Sequence, residues 1–326
     1  MKTIAYVVPY FGRLPRGFPF WLMSCTENPT VTWLLFTDDR TAYLYPPNVQ
    51  VTYCTLPEIK KKAQRLFDFP IRLEKAYKLC DFKPAYGEIF SEELVGYDFW
   101  GHCDLDMVWG SIRSFLTDDI LERYEKVGSQ GHSTLYKNTA EANARYRTCV
   151  PGKADYRKAF STDAPCTFDE PPMERIYQYL HLPYYHKVNY IHLKKYDYGF
   201  FMDLLPETDN WKNKYQVFTW KNGEITRYYL QNASLQTEKY MYLHYWCRPT
   251  TFRISVYDPR KQYFIYPDTT TERDGEITPD LVRRKSRRSK LRYYAKSIWF
   301  SRKKLTAKRI LFNLKGMASY RKEEWK

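Results

Sequence analysis

GYDFWGHCDLDMVWG, residues 96–110, is the stretch whose reading decides the fold. An aromatic, β-prone run is interrupted by two carboxylates one residue apart, Asp104 and Asp106, and resumes with Met107 to Gly110. Side chains at i and i+2 of a strand share a face, so a strand continuing through Leu105 would bring the two acids together. Converging carboxylates repel unless a cation or a shared proton relieves them. Their hard oxygens suit Mg²⁺ or Mn²⁺, ions that take carboxylate and phosphate oxygens at once. The metal reading therefore places a divalent cation and a diphosphate at this strand end; the competing reading is two solvated acids at a surface.

Outward from that stretch the pattern alternates. TIAYVVPYFG (3–12) is an apolar run stopped by Pro-Tyr-Phe-Gly, a strand and then a loop. FPFWLMSCTEN (18–28) reads as a helix, VTWLLFTDD (31–39) as a buried strand and VQVTYCT (49–55) as a short one. Thr55 and Glu58 have capping-box spacing ahead of a helix. KAYKLCDFKPAYGEIF (75–90) repeats apolar residues at three and four, as one helix would. This order implies an α/β sheet with helices on both faces, and such sheets bind ligands beyond the carboxyl ends of their strands. Three strand ends become candidate positions: Pro9, Tyr10 and Phe11; Thr37, Asp38 and Asp39; Asp104 and Asp106. Farther on, a strand containing Gly131 and His132, a helix at MERIYQYLHL (173–182) and several short strands between 186 and 266 are expected. Among these, Asn222-Gly223 between apolar runs signals a hairpin.

At 326 residues the chain makes one large domain or two ordinary ones. It is 44% hydrophobic, with 31 Tyr, enough for a sizeable core. No run approaches the roughly 20 apolar residues of a membrane span, and the N-terminus reads as a first strand instead of a signal peptide. Seven cysteines without a CxxC give neither a disulfide framework nor a zinc knuckle, so a reducing cytoplasm is expected. The formal charge of +15 is concentrated: residues 283–326 hold 17 Lys and Arg against two acids, and the remainder is balanced. The division expected is a body over 1–268, a linker over 269–282 and a basic tail over 283–326.

YKLCDFKPAYGEIF followed by GYDFWGHCDLDMVWGSIRSFL, with VVPYFG and LLFTDD upstream, resembles a family of bacterial glycosyltransferase-like proteins of polysaccharide gene clusters. More distantly it is similar to the D-x-D glycosyltransferases of GT-A fold, including the transferase domain of large clostridial toxins. The resemblance implies a GT-A fold with a central mixed, mostly parallel sheet, a donor half over about 1–115 and an acceptor half over about 116–268. It implies Mn²⁺ or Mg²⁺ on Asp104 and Asp106, and a nucleotide-sugar donor, a UDP-sugar foremost. In that superfamily a helix ahead of the D-x-D strand carries an Asp and a basic residue that contact the donor. Asp81 and Lys83 match by position, although the basic residue is Lys and FSEELVGYDFW lengthens the spacing. A late histidine often completes the metal shell, which points to His244, with Arg248 then near the diphosphate. The distant relatives retain anomeric configuration, so retention is favoured over inversion. DLDMV also fits the D-x-D-x-V motif of haloacid-dehalogenase-like phosphatases, but that motif ends a domain's first strand, and here three strands precede it.

Asp169 and Glu170 precede a helix, where acids cap and complement the dipole. They could instead orient an acceptor hydroxyl or take its proton. The basic tail interleaves Trp299, Phe300, Ile310, Leu311 and Phe312 with its charges, as an amphipathic helix on an anionic membrane surface would. The partners expected are a nucleotide-sugar, a glycan or lipid-linked oligosaccharide acceptor and the inner face of the plasma membrane, without nucleic acid. A non-catalytic binding protein on a degenerate transferase fold is the alternative.

Overall fold

A computed structural model describes residues 1–193, 215–246, 250–266 and 269–286. Its first sheet uses β1 (Ile4–Tyr10), β2 (Val31–Thr37), β3 (Val49–Tyr53) and β4 (Phe99–Cys103). The short β5 (Met107–Trp109) leaves this sheet, and β6 (Lys126–Gln130) and β7 (Ser133–Lys137) return to it. The order is β3-β2-β1-β4-β7-β6. The pairs β2–β3, β1–β2 and β1–β4 are parallel, whereas β4–β7 and β6–β7 are antiparallel. The sheet is therefore mixed α/β, and Tyr10, Thr37 and Cys103 end neighbouring strands along one edge.

Alternation along β1 explains why this sheet is covered on both faces. Ala5 and Val7 enter a layer with Phe36, Ile59, Phe82 and Trp100; Ile4, Tyr6 and Val8 enter another with Trp21, Trp33 and Trp109. Each large side chain so buried contributes roughly 1.5–3 kcal/mol of transfer free energy. The helix Phe18–Thr26 and the helix Leu56–Gln64 form as expected, the second closed by the Thr55–Glu58 capping box. The helix expected over 75–90 does not run through. It breaks into single turns at Ala76–Lys78, Leu79–Phe82, Lys83–Ala85 and Tyr86–Ile89. Pro84 lacks an N–H and crowds the backbone before it, which ends one turn and starts the next.

Two further sheets complete the molecule. β8 (Tyr190–His192) lies in a three-stranded sheet with β5 and the later strand β12 (Tyr242–His244), in the order β5-β12-β8. β9 (Gln216–Lys221), β10 (Glu224–Gln231) and β11 (Ser234–Tyr240) form a meander whose first turn is the expected Asn222-Gly223 hairpin, both residues at positive φ. The run KYMYLHYWC (239–247) divides at Met241, so that β12 (Tyr242–His244) joins the small sheet. β13 (Thr251–Arg253), β14 (Tyr263–Ile265) and β15 (Thr269–Glu272) extend the meander's sheet in the order β11-β10-β9-β14-β15-β13. The stretch expected as a linker is therefore structured. β15 pairs with β13 and β14, and the helix Pro279–Ser286 packs Leu281 and Val282 against Val217 and Phe264. The basic tail beyond residue 286 lies outside the described residues. Phe20 and Met23 of the first helix pack with Phe218, Trp220 and Tyr263, and the Trp220 indole donates to the Trp109 carbonyl at 2.7 Å, tying the second sheet to β5. Among the described residues no helix is long and apolar enough to cross a membrane.

Candidate active site

Asp104 and Asp106 do converge, but not because a strand continues through them. β4 stops at Cys103 and β5 starts at Met107, so Asp104-Leu105-Asp106 is a bend between strands of different sheets. Leu105 is buried in the core layer that holds Trp109, and the acids on either side are left outside it. The bend is pinned by the Asp104 amide donating to the His132 carbonyl (3.1 Å) and the Tyr245 amide donating to the Asp106 carbonyl (2.8 Å). β12 pairs with β5 so that His244 stands opposite Met107, one residue past Asp106. His244 Nε2 lies 3.1 Å from Asp106 Oδ1 and 3.7 Å from Asp104 Oδ2, and one ligand atom from each of the three residues falls within 4.8 Å of the others. Both carboxylates keep a solvent-facing side (34% and 25% exposed) while His244 behind them is 5% exposed. An incoming ion would therefore meet the acids first.

Lys83 completes the constellation. Its ammonium lies 2.7 Å from Asp104 Oδ1, 2.7 Å from the Gly131 carbonyl and 3.4 Å from Asp169 Oδ2. Burial opposes its charge, but the carboxylates of Asp104 and Asp169 more than compensate, and the Lys83 pKa stands well above the usual lysine range. Burial pushes the Asp169 carboxyl up to about 7; Lys83 opposes that rise, and Glu170 and Asp104 add to it. The lysine stands closer to Asp104 than to Asp169. Gly131 makes room for this meeting: a Cβ there would collide with the Asp169 carboxylate and stand 2.9 Å from Glu170 Oε1. Gly131 and His132 form the β6–β7 turn, not the strand that the sequence suggested. Glu170 takes the N-cap position of the helix Pro171–Tyr179 without a side-chain cap bond, so capping does not consume its carboxylate.

Asp81 is a correction. Its side chain has no exposure, and its oxygens accept from Lys78 Nζ (2.7 Å), the Cys166 amide (2.9 Å) and the Phe168 amide (2.9 Å). With those bonds made and no open face, it cannot reach a donor. It fixes the loop that delivers Asp169 to Lys83. Pro9, Tyr10 and Phe11 are half-buried at the end of β1, with Tyr10 against one core layer and Phe11 against the other. Thr37 ends β2 fully buried and accepts from the Asp39 amide. Asp38 accepts from the Gly12 amide (2.7 Å), and Asp39 accepts from the Leu14 amide and from both the amide and hydroxyl of Thr41. The Thr41 hydroxyl bond, with those amides, holds the Asp39 carboxyl below its usual range. Both acids thus staple the loop after β1 to the end of β2. Arg248 lies outside the described residues.

His192 is not among the candidates the sequence offers, and His132 enters only as part of an expected strand. His132 and His192 are buried beside His244, with ring centroids 4.5 Å and 4.9 Å from it. A signal was present: Tyr190-Ile191-His192 and Tyr242-Leu243-His244 share one pattern, and the structure pairs them in parallel register, residue for residue. Comparison with known proteins adds little chemistry. No curated protein matches the chain. Among solved structures, mouse xyloside xylosyltransferase 1 in its apo form is similar at a TM-score of 0.37 and 8% identity, over 60% of this chain and 88% of that one. So slight a likeness settles neither fold nor mechanism. A family of unknown function, DUF6625, matches residues 6–274, from within β1 to just past β15. Because that match spans most of the chain, the protein belongs to the DUF6625 family.

Proposed function

We propose that the protein is a metal-dependent glycosyltransferase of GT-A type, moving a sugar from a nucleotide-sugar donor to a hydroxyl of a glycan acceptor. The observation that carries this reading is the meeting of Asp104, Asp106 and His244 at the end of β4 with their acidic side open. Two carboxylates and one imidazole suit Mn²⁺ or Mg²⁺, and such an ion, when bound, offsets the charge gathering on a departing diphosphate. Asp104, Asp106 and His244 would hold it. Lys83 keeps Asp104 oriented and brings a fixed positive charge to the donor side. Tyr10 and Phe11, with Asp38 on the next strand end, would face the nucleotide, and a uridine diphosphate is the first candidate. Asp169 and Glu170 would position the acceptor hydroxyl, Asp169 being able to exchange a proton near neutral pH. In the transfer, the bond from the anomeric carbon to the diphosphate oxygen breaks as the bond to the acceptor oxygen forms. Retention of configuration is the preferred outcome. The acceptor is proposed to be a cell-surface polysaccharide or a lipid-linked oligosaccharide, reached at the cytoplasmic face of the membrane through the basic residues 283–326.

The test is thermal stability of the full chain against nucleoside diphosphates and nucleotide-sugars, with and without Mn²⁺. A ligand at one hundred times its dissociation constant adds about 2.7 kcal/mol of stability. A Mn²⁺-dependent rise with one nucleotide, absent in Asp106→Ala, is expected. No rise with any nucleotide, or a rise unchanged in Asp106→Ala, would sink the reading.

A further inference from the structure

Four of the chain's six histidines, His102, His132, His192 and His244, are buried in the described structure, and three of them form a set of which only His244 has a role in the scheme above. His132, His192 and His244 offer one ring nitrogen each within 4.8 Å of the others. His192 Nδ1 and His244 Nδ1 face each other at 2.9 Å. His132 Nε2 is buried and has no hydrogen-bond partner. An orphaned nitrogen in a packed interior calls for an occupant, since buried polar atoms are nearly always satisfied.

The outer nitrogens are already oriented. His132 Nδ1 lies 3.0 Å from the Tyr242 hydroxyl, and His244 Nε2 lies 3.1 Å from the Asp106 carboxylate. Rings that bind metal usually give their second N–H to just such an acceptor, a carboxylate above all. Each ring would ligate through the single lone pair of a neutral imidazole.

We propose that His132, His192 and His244 form a second metal site, for a late transition ion of the Zn²⁺ class, behind the acidic one. Three imidazoles and a water would make its tetrahedral shell. Zinc–nitrogen bonds of about 2.1 Å would set the nitrogens about 3.4 Å apart, so the His192–His244 pair, now at 2.9 Å, would open by roughly half an ångström. The two sites share His244 but not the same nitrogen. The acidic site needs the Nε2 lone pair; the imidazole site needs that of Nδ1 while Nε2–H donates to Asp106. A neutral imidazole has one such lone pair, so filling one site empties the other. Imidazole binds Zn²⁺ far better than Mn²⁺, and Zn²⁺ would therefore act as an antagonist of the acidic site.

This inference goes beyond the transferase reading and survives its failure, because imidazole binding needs neither acid nor nucleotide. The test titrates the full chain with Co²⁺, followed by visible absorption, and with Mn²⁺, followed by electron paramagnetic resonance. One equivalent of Co²⁺ should give intense tetrahedral bands in the wild type and in the double variant Asp104→Asn/Asp106→Asn. Those bands should weaken at least 100-fold in apparent affinity in His132→Gln and His192→Gln. Mn²⁺ binding should show the opposite dependence, and one equivalent of Zn²⁺ should release bound Mn²⁺. Tetrahedral bands that persist in both histidine variants, or that vanish only with the acids, would overturn the proposal. Should either histidine variant fail to fold, X-ray absorption of the Zn²⁺-loaded wild type decides. Three imidazoles in the shell support the site, and an oxygen-dominated shell removes it.

Discussion

Asp169 joins chemistry to stability at the level of a single residue. Its carboxyl titrates at about 7 in the folded protein, against an ordinary value near 3.8. Between those values the unfolded chain has released the proton and the folded chain still holds it, so stability falls as pH rises through that window. A shift of this size corresponds to a loss on the order of 3 kcal/mol from pH 4 to above pH 7. Asp169→Asn, which stays neutral throughout, should match the wild type near pH 4 and exceed it by that order at pH 7.5 in urea unfolding; a constant difference across pH would refute it. Legibility differs sharply between the acids. Asp104 and Asp106 stand out by D-x-D spacing and His244 through a resemblance, and the structure brings the three together. Asp81 sat in an equally suggestive position, yet its bonds to Lys78 and to two amides over 80 residues away settle its role, and no local pattern encodes those partners.

Among the elements, those defined by neighbouring residues were legible. The Thr55–Glu58 capping box and the Asn222-Gly223 hairpin form where local chemistry dictates, Gly223 at φ +71°. Elements defined by what they pack against were not. Periodicity over 75–90 describes one helix, and Pro84 splits it into turns that aim Asp81 inward and Lys83 at the acidic bend. Likewise D-x-D spacing was compatible with a strand, but only the change of sheet between β4 and β5 shows why the acids turn outward. The β6–β7 turn offers a test. Gly131→Ala pushes against Asp169, and overpacking of this kind costs roughly 1–3 kcal/mol. Combining it with Asp169→Ala, which removes the obstructing carboxylate, should recover part of that cost as a coupling of at least about 0.5 kcal/mol in a double-mutant cycle. Strict additivity would mean that the turn does not press on Asp169.

Taken whole, the protein is a parallel-cored mixed sheet joined to a β-meander through the small sheet β5-β12-β8. The α/β character followed from element order, whereas the meander's sheet, closed by β13 to β15, did not, because its short strands pair out of chain order. Charge was legible as a quantity but not as a place: +15 resides in 283–326, and the globular body reaches Ser286, whose hydroxyl donates to the Gln216 carbonyl. On the proposed membrane contact, the full chain should bind vesicles containing phosphatidylserine, and a chain ending at Ser286 should melt within a few degrees of it and not bind them, each basic residue near such a surface contributing about 1 kcal/mol. Vesicle binding undiminished by the truncation would place the membrane contact elsewhere. The small sheet also sets a timetable. Asp106 and His244 are 138 residues apart, and among the described residues β5 pairs with no strand but β12. At ribosomal speeds of about 5–20 residues per second, the acids and the hydrogen-bonding edge of β5 wait on the order of ten seconds for their counterpart to be made. The centre thus closes only after the whole first sheet has been made, and the pace of translation between residues 110 and 244 governs how long that edge stays open to a wrong neighbour.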